Sequence, residues 1–398
     1  MKKVFILLLI SIALFSCKKK KKDDVDMTSS NSVSTDAKKK VVNNYAAIVF
    51  AVYQDSYTTM QTLQSDAQDF LANPTAAGYE KLKVDWLNAR IPYEQGETFR
   101  FYYGPIDSDS IGDPLVNSWP VDGSYIDYYV DTNGDTIKTG IIYDASTYPT
   151  ISQSVITNLN GVVTDEDITT GYHAIEYLLW GQNFHITGPG SRPYTEYIVG
   201  AGGTASNQAR RGLYLKTAID LLTSNLKSLM NQWDPNIAHN YRANFVTQNP
   251  DSALASIFTG MGIYAKSELA GQRITVAYEG GDPHEAHSCF SDNSTNDVIL
   301  GQQGIYNVYI GRYVKVDGTV IDGSGIDDLM KIANSSMNDK IMADLNTANA
   351  ASIDLPPLFD QAVLNHSAKL LTVINALKTE ADQFVAAAKV LGITVSDN

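Results

Sequence analysis

From residue 41 onward the chain carries apolar residues at intervals of three and four, the spacing that lines one face of an α-helix. The first such stretch covers 45–71. A second opens at Pro74 and Thr75, runs through Trp86 to Phe101, and is ended by Gly104 and Pro105. The texture then changes. Residues 107–161 are rich in Asp, Gly, Tyr and Pro, and 125–130 and 137–143 flank Asn133-Gly134, a hairpin turn signal. Helical spacing returns over 165–180, opened by Thr164 and the acids Asp165, Glu166 and Asp167 and stopped by Gly181. Beyond a loop with Gly200, Gly202 and Gly203, further long helices are predicted over 209–232, 250–273, 325–348 and 357–391.

Stripes of this kind are buried by packing helix on helix, so the pattern predicts an all-α fold of two antiparallel helical bundles, with a short irregular or hairpin excursion in the first. The division falls in the glycine loop, giving bundles over 41–205 and 206–398. Tyr93, Glu97 and Arg100 near the end of one helix pair echo Tyr264, Glu268 and Arg273 in the other, which points to an internal duplication, although the Glu-to-Arg spacing differs.

The start of the chain has another character. Met1, Lys2 and Lys3 precede an apolar run from Val4 to Phe15, then Ser16 and Cys17, the layout of a signal peptide over 1–16. A run of about a dozen apolar residues is shorter than the roughly 20 needed to span a bilayer. Leu14-Phe15-Ser16-Cys17 resembles a lipobox, so Cys17 is the expected lipidation site and the membrane an expected partner. Residues 17–40 then read as a lipidated cysteine and flexible tether, too polar to fold. Within it, Lys18–Lys22 suit anionic head groups. Localisation in the cell envelope follows, lipid-anchored and at the outer membrane, with the face undecided. Removing Lys2 and Lys3 takes the net charge from −14 to −16, a surface that excludes nucleic acid as a partner. With Cys17 carrying lipid, Cys289 has no disulfide partner and reads as a small buried residue, so the fold rests on its core.

The most pointed chemistry lies at 171–181, Gly-Tyr-His-Ala-Ile-Glu-Tyr-Leu-Leu-Trp-Gly. His173 and Glu176 are three apart and share a helical face, where an imidazole and a carboxylate can supply two metal ligands or an acid and base pair. Nitrogen and oxygen donors without thiolate suit a divalent or ferric ion, with iron favoured and zinc possible. Glu97, Glu268, His287 and Asp292 are further donors, or else ion-pair partners of Arg100 and Arg273 and helix caps. His284 is set aside because Gly280, Gly281 and Pro283 make its surroundings a loop.

Other readings fall away. A zincin helix needs two histidines four apart, and the inverted form needs His where Tyr177 stands. Gly-x-Ser-x-Gly is absent, and a di-iron bundle would need two Glu-x-x-His pairs. Asp131, Asn133 and Asp135 imitate a calcium loop but lack its glycine and final glutamate. Gly260 and Gly262 imitate a dinucleotide loop without a preceding strand, and read instead as close helix contacts.

Gly171, His173 and Glu176 reproduce the Gly-x-His-x-x-Glu motif of the imelysin family, and the chain resembles that family from about Tyr45 to Leu391. Trp86, Ala89, Arg90, Pro92, Tyr93, Glu97, Arg100, Phe101 and Gly104–Asp107 look like its early block, followed by Asn117, Trp119 and Pro120. Arg210, Arg211, Gly212 and Tyr214 resemble another block. So do Glu268, Leu269, Ala270, Gly271 and Arg273, then His287, Ser288, Cys289, Phe290, Ser291, Asp292 and Asn293, and lastly Pro357, Phe359 and Asp360. The resemblance implies an envelope protein of two bundles with its functional cleft between them at His173 and Glu176, bordered by Glu97, Arg100, Glu268, Arg273, His287, Ser288, Asp292 and Asn293. It implies binding of a metal ion or metal complex in iron uptake, with another envelope protein of iron uptake as a partner. A metal-dependent peptidase using His173 and Glu176, or a non-catalytic envelope binding module, are the alternatives.

Overall fold

The computed structural model describes residues 32–184 and 188–395. The signal peptide, Cys17 and Lys18–Lys22 lie outside the described residues. Long helices dominate: α1 (Thr35–Ala72), α2 (Ala76–Gln95), α3 (Gly171–Trp180), α4 (Gln208–Trp233), α5 (Pro250–Ile263), α6 (Ser294–Ile310), α7 (Ile326–Ile353) and α8 (Ala368–Val390). The expected all-α class holds. The strands among the described residues form two small antiparallel pairs, β1 (Tyr129–Val130) with β2 (Thr136–Ile137) and β3 (Arg312–Val314) with β4 (Val320–Asp322). No helix of the described residues is long and apolar enough to cross a membrane.

Helices α1, α2 and α4 pack side by side with α3 laid against α2 and α4, while α5, α6, α7 and α8 form a second group. The groups meet where α6 runs along α2 and α5 along α1. Helix α4 follows the glycine loop near residue 205 yet packs on α1 and α3, with the elements that precede that loop. One continuous apolar core links both groups, from Val41, Ile48 and Val52 on α1 to Leu377 and Phe384 on α8.

Several boundaries differ from the pattern-based expectation. Helix α1 begins at Thr35, inside the expected tether: Ser34 Oγ caps Ala37 N at 3.2 Å, and Lys38 Nζ reaches Asp251 Oδ1 at 2.6 Å and the Leu391 carbonyl at 3.1 Å. Tertiary bonds to distant residues hold residues 35–40, five polar residues and Ala37, which have no stripe of their own. Helix α3 begins at Gly171 rather than near residue 165. The expected capping acid Asp167 instead accepts the Thr164 N–H at 2.8 Å, and Asn160 Oδ1 takes the Thr169 and Thr170 N–H groups at 2.9 and 3.2 Å, bonds that compete with helix.

The helix expected over 357–391 is broken into Phe359–Leu364 and α8, with Ser367 capping Lys369 N. Helix α7 is kinked at Asn334. The spacing did not single out α6, because Gly301 and Gly304 interrupt it and polar Asp297, Gln302 and Asn307 occupy its buried side. The hairpin signal at Asn133-Gly134 is present but short, pairing Tyr129 with Ile137.

Helix α5 continues without a break into a π-helical segment, Tyr264–Thr275. Its bonds run from i to i+5, which is why Glu268 and Arg273 pair across five residues, where Glu97 and Arg100 pair across three. Close helix contact is found at Gly260, whose added Cβ would stand 2.8 Å from the Thr98 carbonyl, and not at Gly262, which faces open space.

Candidate functional site

Every side chain of α3 is buried, as expected of a helix apolar all round. Its first residue has to be glycine. Gly171 sits at φ +80, and a Cβ there would stand 2.4 Å from the Val116 carbonyl. That contact brings the start of α3 against the turn bearing Asn117. Neighbours then fix the helix through its backbone: Trp86 Nε1 donates to the Tyr172 carbonyl at 3.0 Å, and the Tyr79 and Tyr197 hydroxyls donate to the Leu179 and Leu178 carbonyls at 2.7 and 2.6 Å. His173 and Glu176 therefore project from a rod that cannot easily turn.

Facing them is the loop that precedes α6. His173 is 1% exposed, Glu176 0% and His287 3%. His173 Nδ1 lies 2.8 Å from Glu176 Oε2, and His287 Nδ1 lies 2.9 Å from Asp297 Oδ2. With each Nδ1 turned to a carboxylate, the two Nε2 atoms face each other at 3.2 Å. The rings meet edge to face, centroids 4.5 Å apart. Glu176 Oε1 accepts the backbone N–H and the hydroxyl of Ser291 at 2.8 and 2.7 Å, so the α3 carboxylate also holds the opposing loop. Ser288 and Asn293 both donate to Asp297. The Ser288 hydroxyl thus points at the carboxylate rather than at an imidazole, which is not the arrangement of an activated serine.

Behind the imidazoles runs a buried chain of ion pairs. Arg90 bonds Glu94 and Asn117 and lies 3.4 Å from both His287 Nδ1 and Asp297 Oδ2. Arg273 joins Glu94 (2.9 Å), Glu97 and Glu268 (3.1 Å), and Arg100 joins Glu97 (2.8 Å), Asp113 (2.7 Å) and Glu268 (3.5 Å). The expected donors Glu97 and Glu268 are therefore held by guanidinium groups, not turned to His173. His287 does join His173. Asp292 instead lies beside Asp360.

One acid-rich trio, Glu94, His287 and Asp297, brings ligand atoms within 4.8 Å of one another. Arg90 already stands among those three groups, so its guanidinium is the cation of that trio. The gap between the two Nε2 atoms has no resident cation among the described residues, and Asn117 Nδ2 lies 3.4 Å from His287 Nε2 at its edge.

The charges there do not balance. Burial, aided by Arg90, holds His173 well below its usual pKa, and burial with Arg273 does the same for His287, so both rings are neutral. Three guanidiniums then face the carboxyl groups of Glu94, Glu97, Asp113, Glu176, Glu268 and Asp297. Burial pushes Glu94 and Glu176 up to about 8 and Asp113 up to about 7, against the pull of Arg90, Ser291 and Arg100 respectively. Glu97 is the exception. Burial raises it, but Arg100 and Arg273 outweigh that and hold it down at about 2. Protons on Glu94, Glu176 and Asp113 neutralise an excess of negative charge, a role a bound metal cation would fill equally.

Sequence reasoning missed Arg90 and Asn117 as site residues, and Glu94 and Asp297 altogether. A signal did exist: Arg90 and Glu94 stand four apart on the buried face of α2, and Asp297 is an acid in the first turn of α6, bonded to Asn293.

The fold defines a class of all-helical proteins in two packed groups, and in this chain a carboxylate-backed histidine pair lies where the groups meet. Comparison with known proteins gives the class a name. The imelysin family model matches residues 49–388, and the chain belongs to that family. Iron-regulated protein A of Synechococcus elongatus is 27% identical over 259 residues, covering 63% of this chain and 58% of that protein's length. Among solved structures, an iron-regulated protein A precursor from Parabacteroides distasonis superposes with a TM-score of 0.70 at 18% identity, over 91% of this chain and 96% of that one. An imelysin-like protein from Psychrobacter arcticum gives 0.63 at 14%, over 92% and 99%. Both show the same fold.

Proposed function

We propose that this chain is a lipid-anchored protein of the cell envelope that binds a metal ion, iron in preference to zinc, between His173 and His287, and serves iron uptake or metal handling. The observation that carries this reading is the 3.2 Å separation of two Nε2 atoms whose Nδ1 atoms are both engaged by carboxylates. Two nitrogens each about 2.0–2.1 Å from a tetrahedral metal stand about 3.3 Å apart. Carboxylates behind metal-bound imidazoles fix the tautomer and raise the basicity of the ligand nitrogen. In this reading Glu176 and Asp297 position the ligands, His173 and His287 hold the ion, and solvent or a chelating group completes its coordination. The names of the Synechococcus and Parabacteroides proteins, both iron-regulated protein A, favour iron. Placement at the outer membrane through lipid on Cys17, and handover to another envelope protein of iron uptake, belong to the same proposal.

The test is a titration of metal-stripped protein with ferrous, ferric, zinc and manganese ions, beside a His173→Ala, Glu176→Ala double variant. Tight iron binding lost in a folded double variant supports the reading. Equal iron binding in both proteins sinks it, and metal-dependent proteolysis abolished by the variant would favour a peptidase instead.

A further inference from the structure

A separate feature lies on the outer side of the same loop and is not used by the histidine pair. Asp292, in the left-handed region at φ +54, is 7% exposed; its carboxylate faces the Phe359 and Asp360 backbone N–H groups and the Asp360 carboxyl, yet makes no close, well-aligned hydrogen bond among the described residues. Asp360, in the first turn of Phe359–Leu364, is 1% exposed. Its Oδ2 accepts from Asn183 Nδ2 at 3.3 Å, and its Oδ1 has no partner. Asp360 lines a cavity of about 220 Å³ with Asn183, Phe184, Asp282, His284 and Leu364. Asp282 and His284 are exposed, which connects the cavity to solvent.

Buried carboxylates are ordinarily paired or bound to metal. Here two carboxyls within reach of each other repel unless a proton or a cation stands between them, and no lysine or arginine pairs with either among the described residues. The nearest cationic group, His284, is already engaged: its Nδ1 lies 3.0 Å from Asp282 Oδ1 and its Nε2 3.3 Å from the Asn183 carbonyl. It has no nitrogen left to act as a ligand. The donors left over are all carboxylate oxygens.

We infer a second metal site, in which the carboxylates of Asp292 and Asp360 hold a hard, oxygen-preferring divalent cation behind the wall that Asp360 contributes to this cavity. Oxygen-only donors from two aspartates, completed by water, are the chemistry of calcium, magnesium and manganese rather than of a nitrogen-seeking ion. The ion ties the loop carrying His287 to the short helix ahead of α8. The site does not depend on metal binding between the histidines.

Manganese is the probe. Free aqueous Mn²⁺ is followed by electron paramagnetic resonance as it is titrated into metal-stripped wild type, an Asp292→Asn, Asp360→Asn variant, and the His173→Ala, Glu176→Ala variant. The expected result is that the aspartate variant loses one manganese equivalent, or binds it about tenfold or more weakly, while the histidine variant keeps it. A folded aspartate variant with undiminished manganese binding overturns the inference. If the double substitution does not fold, the single Asp360→Asn change is read in the same way. A manganese-soaked wild-type crystal supplies an independent reading, since an anomalous peak between Asp292 and Asp360 is required and its absence refutes the site. Loss of iron binding only in the histidine variant bears on the proposed function, and loss of manganese only in the aspartate variant bears on this site, so the two can fail separately.

Discussion

His173 and His287 are 114 residues apart in the chain, yet their Nε2 atoms stand 3.2 Å apart with a carboxylate behind each ring. Two neutral imidazoles that close share either a proton or a metal ion. Sharing a proton requires one Nε2 to carry hydrogen and its own Nδ1 to accept from a protonated acid. Glu176, held up at about 8 by burial, can be that acid for His173.

His287 is therefore expected to matter to metal affinity as much as His173, although the family motif contains only the latter. His287→Ala should abolish high-affinity binding. Asp297→Asn, which keeps the shape but weakens the orienting bond, should reduce affinity by about 10–100-fold. Calorimetric titration of both variants with ferrous ion checks this, and wild-type affinity in His287→Ala would remove the histidine pair from the account.

Arg273 holds Glu94, Glu97 and Glu268 together across the junction between α2 and the π-helical segment. Arg273→Met leaves buried carboxylates without their cation, and such losses cost about 3–5 kcal/mol. Urea unfolding should show a lower midpoint, whereas Lys266→Met, at an exposed pair with Asp382, should change stability by about 1 kcal/mol or less.

Acid should act through Glu97. Its folded pKa of about 2 lies below the ordinary 4.5, so its contribution is fully present above pH 4.5 and is lost as pH falls toward 2. The difference corresponds to about 3 kcal/mol for this buried group. A Glu97→Gln variant should lose stability at pH 7 and show a flatter stability profile between pH 4.5 and 2 than wild type. An unchanged profile would contradict the pairing with Arg100 and Arg273.

Gly171→Ala should destabilise the protein by about 2 kcal/mol or more, because it combines a left-handed backbone with a collision against the Val116 carbonyl. The same change should loosen the placement of His173, only two residues on. Thermal unfolding and metal affinity should fall together, and an alanine variant with wild-type melting would show that the start of α3 can relax.

Much of this architecture was legible in the chain. Apolar residues at three- and four-residue intervals over 45–71 and 209–232 mark α1 and α4, because a helix with one apolar face has to bury it. Helix α6 escaped notice because it buries polar residues that only its neighbours explain: Gln302 meets Glu380, and Asn307 meets Gln95. The start of α1 escaped because its polar first turns are held by Asp251 and Leu391, residues far along the chain.

The sequence by itself determined the helical class, the family and the pairing of His173 with Glu176, since all of these reside in local spacing and residue type. Tertiary structure decided the rest of the site. It set His287 opposite His173, enclosed Arg90 among Glu94, Asp297 and His287, turned Glu97 and Glu268 toward arginines, and moved Asp292 out beside Asp360. The reason is physical. A charged side chain can be buried only where an opposite charge, a proton or a metal ion compensates it, and which partner arrives depends on how distant helices pack rather than on the neighbours it has in sequence.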